Sequence, residues 1–283
     1  MIKIVLVLLL IAIILLFAWK IQNKVKIKYK TFLYKGFAPK RGNFGVYCYD
    51  GKQGKGKTYS VVEYLLDNKD NICVFCNVKD IKNIDYFFFT GFKELLMLKV
   101  IIDSVWSNVD ELKKICIKLG FDKKRSTQLA YLLIDYKNNN KQLVFVFDEI
   151  FSELQKGSKL DKEVIDFLCQ MRKRQIIFLT TAQEWAEIPL TFRRFIRYEI
   201  KCNMINIFGF GLLFKEFNDA ENMKWSDDQQ EHIAPLIETT LTKCRKYISE
   251  SYNTFLRISS VSPQAITEEK ASDDIVVVKQ NVK

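Results

Sequence analysis

Residues 49–60 read YDGKQGKGKTYS, three glycines and three lysines between an aromatic, β-branched run and a helix-like one. Gly51, four residues, Gly56, Lys57 and Thr58 satisfy G-x-x-x-x-G-K-[ST] at every fixed position. Upstream, FGVYCY (Phe44 to Tyr49) reads as a buried strand. Downstream, TYSVVEYLL sets Val61, Val62, Leu65 and Leu66 on one helical face. A strand, a tight turn and a helix are what this motif needs. Without Cβ atoms in the way, backbone N–H groups turn inward and, with the positive end of the helix, form a nest for phosphate oxygens. Gly51, Lys52, Gln53, Gly54, Lys55, Gly56, Lys57, Thr58 and Tyr59 are the expected nucleotide contacts. Lys57 should reach the β- and γ-phosphates of ATP, and the Thr58 hydroxyl should hold Mg²⁺.

A second motif supplies hydrolysis. LVFVFDE, Leu143 to Glu149, is an apolar strand ending in two acids. Asp148 is expected in the Mg²⁺ shell and Glu149 as the group that polarises the attacking water. The next strand, QIIFLTT (Gln175 to Thr181), leads into Gln183. Gln183 is the candidate sensor of the γ-phosphate, with Thr180 or Thr181 as second choice. Arg172 and Arg174 precede this strand, and Arg193 and Arg194 follow it. Each is a candidate arginine finger acting on a neighbouring subunit, or a contact to DNA phosphates.

The rest of the chain sets these motifs in an α/β frame. NICVFCNV (Asn71 to Val78) is a further buried strand, and Lys93–Lys118, Ser126–Lys137 and Lys159–Arg174 carry helical spacing. Strands alternating with helices predict a mainly parallel sheet covered on both faces. After Pro189, FIRYEIKCNMINIFGFGLLFKEF predicts a β-hairpin turning near Gly209 and Gly211. The stretch after Pro235 fits helix or strand, and the polar residues 259–283 read as a disordered tail.

At the N-terminus, Ile4 to Trp19 is uncharged and apolar, close to the roughly 20 residues that cross about 30 Å of hydrocarbon. A single-pass anchor is expected. A signal peptide is the alternative, but no small-x-small cleavage site follows. Lys20, Lys24, Lys26, Lys28 and Lys30 flank the run on one side against Lys3 on the other, which puts the remainder in the cytoplasm. They also account for part of the net charge of +11, which otherwise points to an anionic partner. The expected organisation is an anchor (1–19), a basic linker (20–42), an ATPase core (43–200), an accessory hairpin and C-terminal segment (201–258) and the tail.

Other chemistries have little to build on. His232 is the single histidine, and the seven cysteines are scattered. Cys73 and Cys76 have C-x-x-C spacing, but in a strand their thiols point to opposite faces.

The runs GKQGKGKTYSVVEYL, Cys76-Asn77-Val78, VFVFDE, MRKRQIIFLTTAQEW and RRFIR, over Phe44 to Arg197, resemble the zonula occludens toxin-like (Zot) family, which includes the assembly ATPases of filamentous phages. More broadly they resemble the FtsK/HerA group of DNA-pumping ATPases. The resemblance implies a P-loop NTPase of the additional-strand type. It further implies a membrane-bound ATPase, a homo-oligomeric ring, that drives extrusion of single-stranded phage DNA with coat or secretion proteins as partners. The same motor could serve conjugation or segregation. A nucleotide-gated scaffold without turnover is the reading from another class. In the family the membrane span typically follows the ATPase domain, whereas here it comes first.

Overall fold

The computed structural model describes residues 6–15, 25–27, 44–150, 154, 160–171, 173–207, 210–226 and 231–252. The expected tail, most of the linker and Arg172 lie outside them. Residues 6–15 are helical (α1), with Leu6 to Leu10 turned to solvent. Ten residues span about 15 Å, and among the described residues no helix is long and apolar enough to cross a membrane. The flanks that would complete the expected anchor are outside the described set.

One sheet of nine strands organises the rest, in the order β1-β11-β8-β7-β2-β6-β5-β3-β4. Its centre is parallel: β2 (Gly45–Asp50), β6 (Ile177–Ala182), β5 (Gln142–Phe147), β3 (Ile72–Cys76) and β4 (Tyr86–Phe88). These strands read as unbroken apolar runs because both of their faces are buried. On one face Val46, Cys73, Phe75, Phe145, Phe147 and Phe178 meet α3 (Phe92–Asp103), α4 (Val109–Lys118), α5 (Lys123–Asn138) and α6 (Lys162–Gln170). On the other, Tyr47, Tyr49, Val74, Cys76, Val144 and Leu179 meet α2 (Lys57–Asn68). Cys73 and Cys76 thus lie on opposite faces, and burial pushes both thiols up, which removes a paired redox or metal role.

The predicted hairpin forms, from β7 (Ile196–Ile207) and β8 (Phe210–Asp219), after a short helix, α7 (Leu190–Arg193). Its first strand pairs in parallel with β2, Val46 with Ile196 through Asp50 with Lys201, so the hairpin continues the main sheet. Beyond Lys201, β7 and β8 overhang the end of β2 at the edge where the phosphate motif sits. The ambiguous stretch after Pro235 is a strand, β11 (Leu236–Lys243), antiparallel to β8. A three-residue strand within the basic segment, β1 (Val25–Ile27), adds to β11 in parallel. A two-stranded ribbon, β9 (Lys224–Ser226) with β10 (Glu231–Ile233), and a single helical turn, α8 (Lys246–Ser249), complete the fold.

Both faces of α2 are covered. The sheet, β8 included, takes one side, while the segment after β11 packs against the helix as well, which explains the continuous burial from Tyr59 to Leu66. Glu63 and Lys215, both at 0% exposure, pair at 3.2 Å across this contact. Arg245 binds Glu63 at 3.1 Å and Asp67 at 2.6 Å.

Candidate active site

The loop from Gly51 to Gly56 leaves the end of β2 and enters α2, as its spacing predicts. Gly51, Gly54 and Gly56 have φ of 142°, 74° and 87°, values a side chain disfavours. Two of these glycines are also needed for space. A Cβ on Gly51 would stand 2.6 Å from the Cys202 carbonyl oxygen, and one on Gly56 would stand 2.8 Å from Leu213 Cδ1 and 2.9 Å from Met204 Cε. The overhanging hairpin therefore forms the back wall of the loop. Gly54 meets nothing within 4 Å.

Lys57, buried at 8% exposure, donates from Nζ to the carbonyl oxygens of Gly51 at 2.6 Å and Lys52 at 3.2 Å. Its ammonium is held across the loop mouth, where phosphate oxygens would take over these contacts. Lys52 and Gln53 are exposed and Lys55 is half-buried. Tyr59 turns its side chain into the core, where its hydroxyl accepts from the Arg245 N–H at 2.7 Å. Only the Tyr59 backbone is left for a nucleotide.

The acids arrive from β5. Thr58 Oγ1 donates to the Asp148 carboxylate, 3.1 Å from Oδ2 and 3.3 Å from Oδ1. Thr181 Oγ1 donates to Asp148 Oδ1 at 2.6 Å and accepts from the Glu149 N–H at 2.7 Å. From the β3 side, the Asn77 amide accepts from the Asp148 N–H at 2.6 Å and donates to the Asp148 carbonyl at 3.0 Å. Burial raises the Asp148 pKa, opposed by the Thr181 and Thr58 hydroxyls and by Lys57. Burial and then the charge of Asp148 raise that of Glu149. An almost buried carboxylate answered by two hydroxyls, with no cation in direct contact among the bonds described, suits a hard divalent cation with oxygen ligands. Thr58 and Asp148 could hold Mg²⁺.

The other candidates scatter. Thr180 donates to the Phe147 carbonyl at 2.9 Å and ties β6 to β5, so Thr181 is the β6 side chain at the acids. Gln183 lies one residue past β6, half-buried. Arg174 binds Asp103 and Gln170 ahead of β6, roughly 20 Å of strand away from the acids. Arg193 folds back onto the carbonyls of Ile188 and Ala186, both at 2.7 Å. Arg194 is exposed just before β7, at the edge where the parallel strands begin. Arg174 and Arg194 thus lie at the edge opposite the loop, too far to serve the nucleotide of their own chain. A groove of about 740 Å³ lined by Lys69, Asp70, Tyr86, Tyr131 and Asp135 is at that edge too.

Sequence reasoning did not single out Asn77 for a role of its own, nor the Cys202, Met204 and Leu213 wall. Asn77 carried a signal, a polar residue closing an apolar strand. The wall carried none, because its contacts span about 150 residues.

No protein-family model and no curated protein matches the sequence. Among solved structures, the chain is similar to the N-terminal domain of zonular occludens toxin from Neisseria meningitidis, at 15% identity over 74% of this chain and 98% of that one (TM-score 0.40). It is similar to the genome packaging NTPase B204 from Sulfolobus turreted icosahedral virus 2 in complex with ATP-gammaS, at 12% identity over 68% and 98% (TM-score 0.37). It is similar also to the flagellar accessory protein FlaH from Methanocaldococcus jannaschii, at 10% identity over 68% and 88% (TM-score 0.35). The phosphate loop on β2, the acids on β5 and the extra strand β6 hydrogen-bonded between them give the chain a P-loop NTPase-like fold.

Proposed function

We propose that the chain hydrolyses ATP to drive single-stranded DNA through the host membrane during assembly of a filamentous phage. It would act as a homo-oligomeric ring, held at the membrane by its N-terminal apolar segment with the ATPase domain in the cytoplasm, beside coat or secretion proteins. The observation that carries the hydrolytic part is the closure of Thr58, Asp148 and Thr181 within hydrogen-bond distance across two strands and a helix. The DNA and membrane parts are supported by the net charge of +11, the apolar run Ile4 to Trp19 and the Zot-like motif set.

In this reading Lys57 exchanges its loop carbonyls for β- and γ-phosphate oxygens, and the loop amides bind the remaining phosphate charge. Bound Mg²⁺, on Thr58 and Asp148, would neutralise charge on the leaving phosphates. Glu149 accepts the proton of the attacking water, and its raised pKa makes it a stronger base once ionised. Thr181 joins the two acids, so a shift at one is felt at the other. Arg194, exposed on the far edge, would be the arginine that reaches a neighbouring subunit.

ATP hydrolysis by the purified chain, with Mg²⁺ and single-stranded DNA, tests the proposal. Turnover is expected in the wild type and in Lys52→Ala, but not in Lys57→Ala. Absence of turnover in the wild type, or equal turnover in Lys57→Ala, overturns the hydrolase reading. Membrane fractionation with and without residues 1–20 tests the anchor.

A further inference from the structure

The hydrogen-bond ladder between β3 and β5 ends where Cys76 faces Val146. One residue further on, the Asn77 N–H still reaches the Val146 carbonyl, at 3.2 Å. Past that point no strand among the described residues faces Asp148 from this side, and the Asn77 side chain takes the place of one. Its Oδ1 accepts the Asp148 N–H at 2.6 Å and its Nδ2 donates to the Asp148 carbonyl at 3.0 Å, with the residue only 1% exposed. Both polar groups of the Asp148 main chain are therefore occupied by one amide, the pattern a paired strand would supply.

The next residue shows why this matters. Glu149 has φ of 53°, in the left-handed region, which costs a non-glycine residue on the order of 1 kcal/mol and persists only where neighbours enforce it. Thr181, on β6, holds the Glu149 N–H at 2.7 Å. The strained turn carrying both acids is thus braced from the strands on either side, by an amide on β3's side and a hydroxyl on β6. The geometry points to Asn77 as a positioning residue, which aims the Asp148 carboxylate at Thr58 and holds Glu149 in its turn without itself touching nucleotide. The inference rests on the hydrolase reading above, and it adds a residue that the motifs do not require.

A merely structural asparagine would lower stability alone. Asn77→Ala, Asn77→Asp, and Val144→Ala as a core control on β5, the strand that leads into Asp148, would be compared in the full chain. The measurements are thermal melting, binding of a fluorescent ATP analogue in EDTA, Mg²⁺ titration of ATP turnover, and amide exchange of the peptide 143–150. For Asn77→Ala the expected result is nucleotide affinity within about two-fold of wild type, kcat at least ten-fold lower and a Mg²⁺ half-saturation at least five-fold higher. Faster exchange at Asp148 should accompany these changes. Asn77→Asp, isosteric, keeps the acceptor and loses the donor, so turnover should fall while the Asp148 amide stays protected. If the Asn77 variants match Val144→Ala in kcat and Mg²⁺ half-saturation, the inference is overturned. Should Asn77→Ala fail to fold, Asn77→Asp supplies the comparison, and an Asp148 amide in wild type that exchanges like an exposed one overturns it as well. A wild type without turnover defeats the hydrolase reading instead, a result distinct from any of these.

Discussion

Replacing Asp50 with asparagine should stabilise the protein by an amount that grows with pH. Asp50 closes β2 immediately before the phosphate loop, 7% exposed, with Oδ1 buried and without a hydrogen bond among the described residues. Burial, and then the charge of Glu199 on β7, raise its pKa from 3.8 to about 7, against the opposing pull of Lys201 and Lys57. Glu199 is itself raised, first by burial. Between pH 4 and 7 the folded chain keeps a proton that the unfolded chain releases, so stability falls as pH rises through that window and levels off above the folded pKa. From pH 5 to 7 that is about two units at ~1.4 kcal/mol each, or about 3 kcal/mol. For a domain of this size the loss corresponds to about 5–10 °C in Tm. Asparagine does not titrate, and it leaves a similar polar group unpartnered, so its cost is a constant offset. Melting curves of wild type and Asp50→Asn at half-unit steps from pH 5 to 8 should therefore diverge, with the variant gaining as pH rises. Parallel curves would refute the argument, because they would mean that Asp50 ionises alike in both states.

Alanine at the loop glycines should rank by what the new Cβ meets. Gly54→Ala faces open space and costs only backbone strain, about 1 kcal/mol, whereas Gly51→Ala and Gly56→Ala add collisions and should lose more in chemical denaturation. Glu149→Gln should bind nucleotide and fail to turn it over, while Glu149→Gly should be equally inactive yet melt higher, since glycine accepts φ of 53°. Lys215→Met removes one partner of the buried Glu63 and should cost about 3–5 kcal/mol, whereas Lys215→Met with Glu63→Leu, which removes the pair, should cost less in a double-mutant cycle.

Much of the site was legible because its chemistry is written in short contiguous runs. The spacing of Gly51, Gly56, Lys57 and Thr58 dictates a turn with inward N–H groups wherever a strand precedes it and a helix follows. The acids of β5 announce themselves as polar residues ending an apolar strand. Gln183 shows the limit of such reasoning. Strand-end polarity favoured Gln183 with Thr180 or Thr181 as second choice, and only the register of β6 against β5 puts Thr181, rather than Thr180, on the acids. The short strand β4 and the break between α3 and α4 went unread because each is too brief to show a period.

The sequence by itself determined that a phosphate loop and a pair of acids exist, since both depend on neighbours within a dozen residues. Tertiary structure alone decided which side chains surround them. Cys202, Met204 and Leu213 behind the loop, Asn77 and Thr181 around Asp148, and Lys215 and Arg245 on the loop's helix are brought in by strand order and register. Those are collective properties of the whole sheet, set by which apolar faces bury best together, and no local pattern records them.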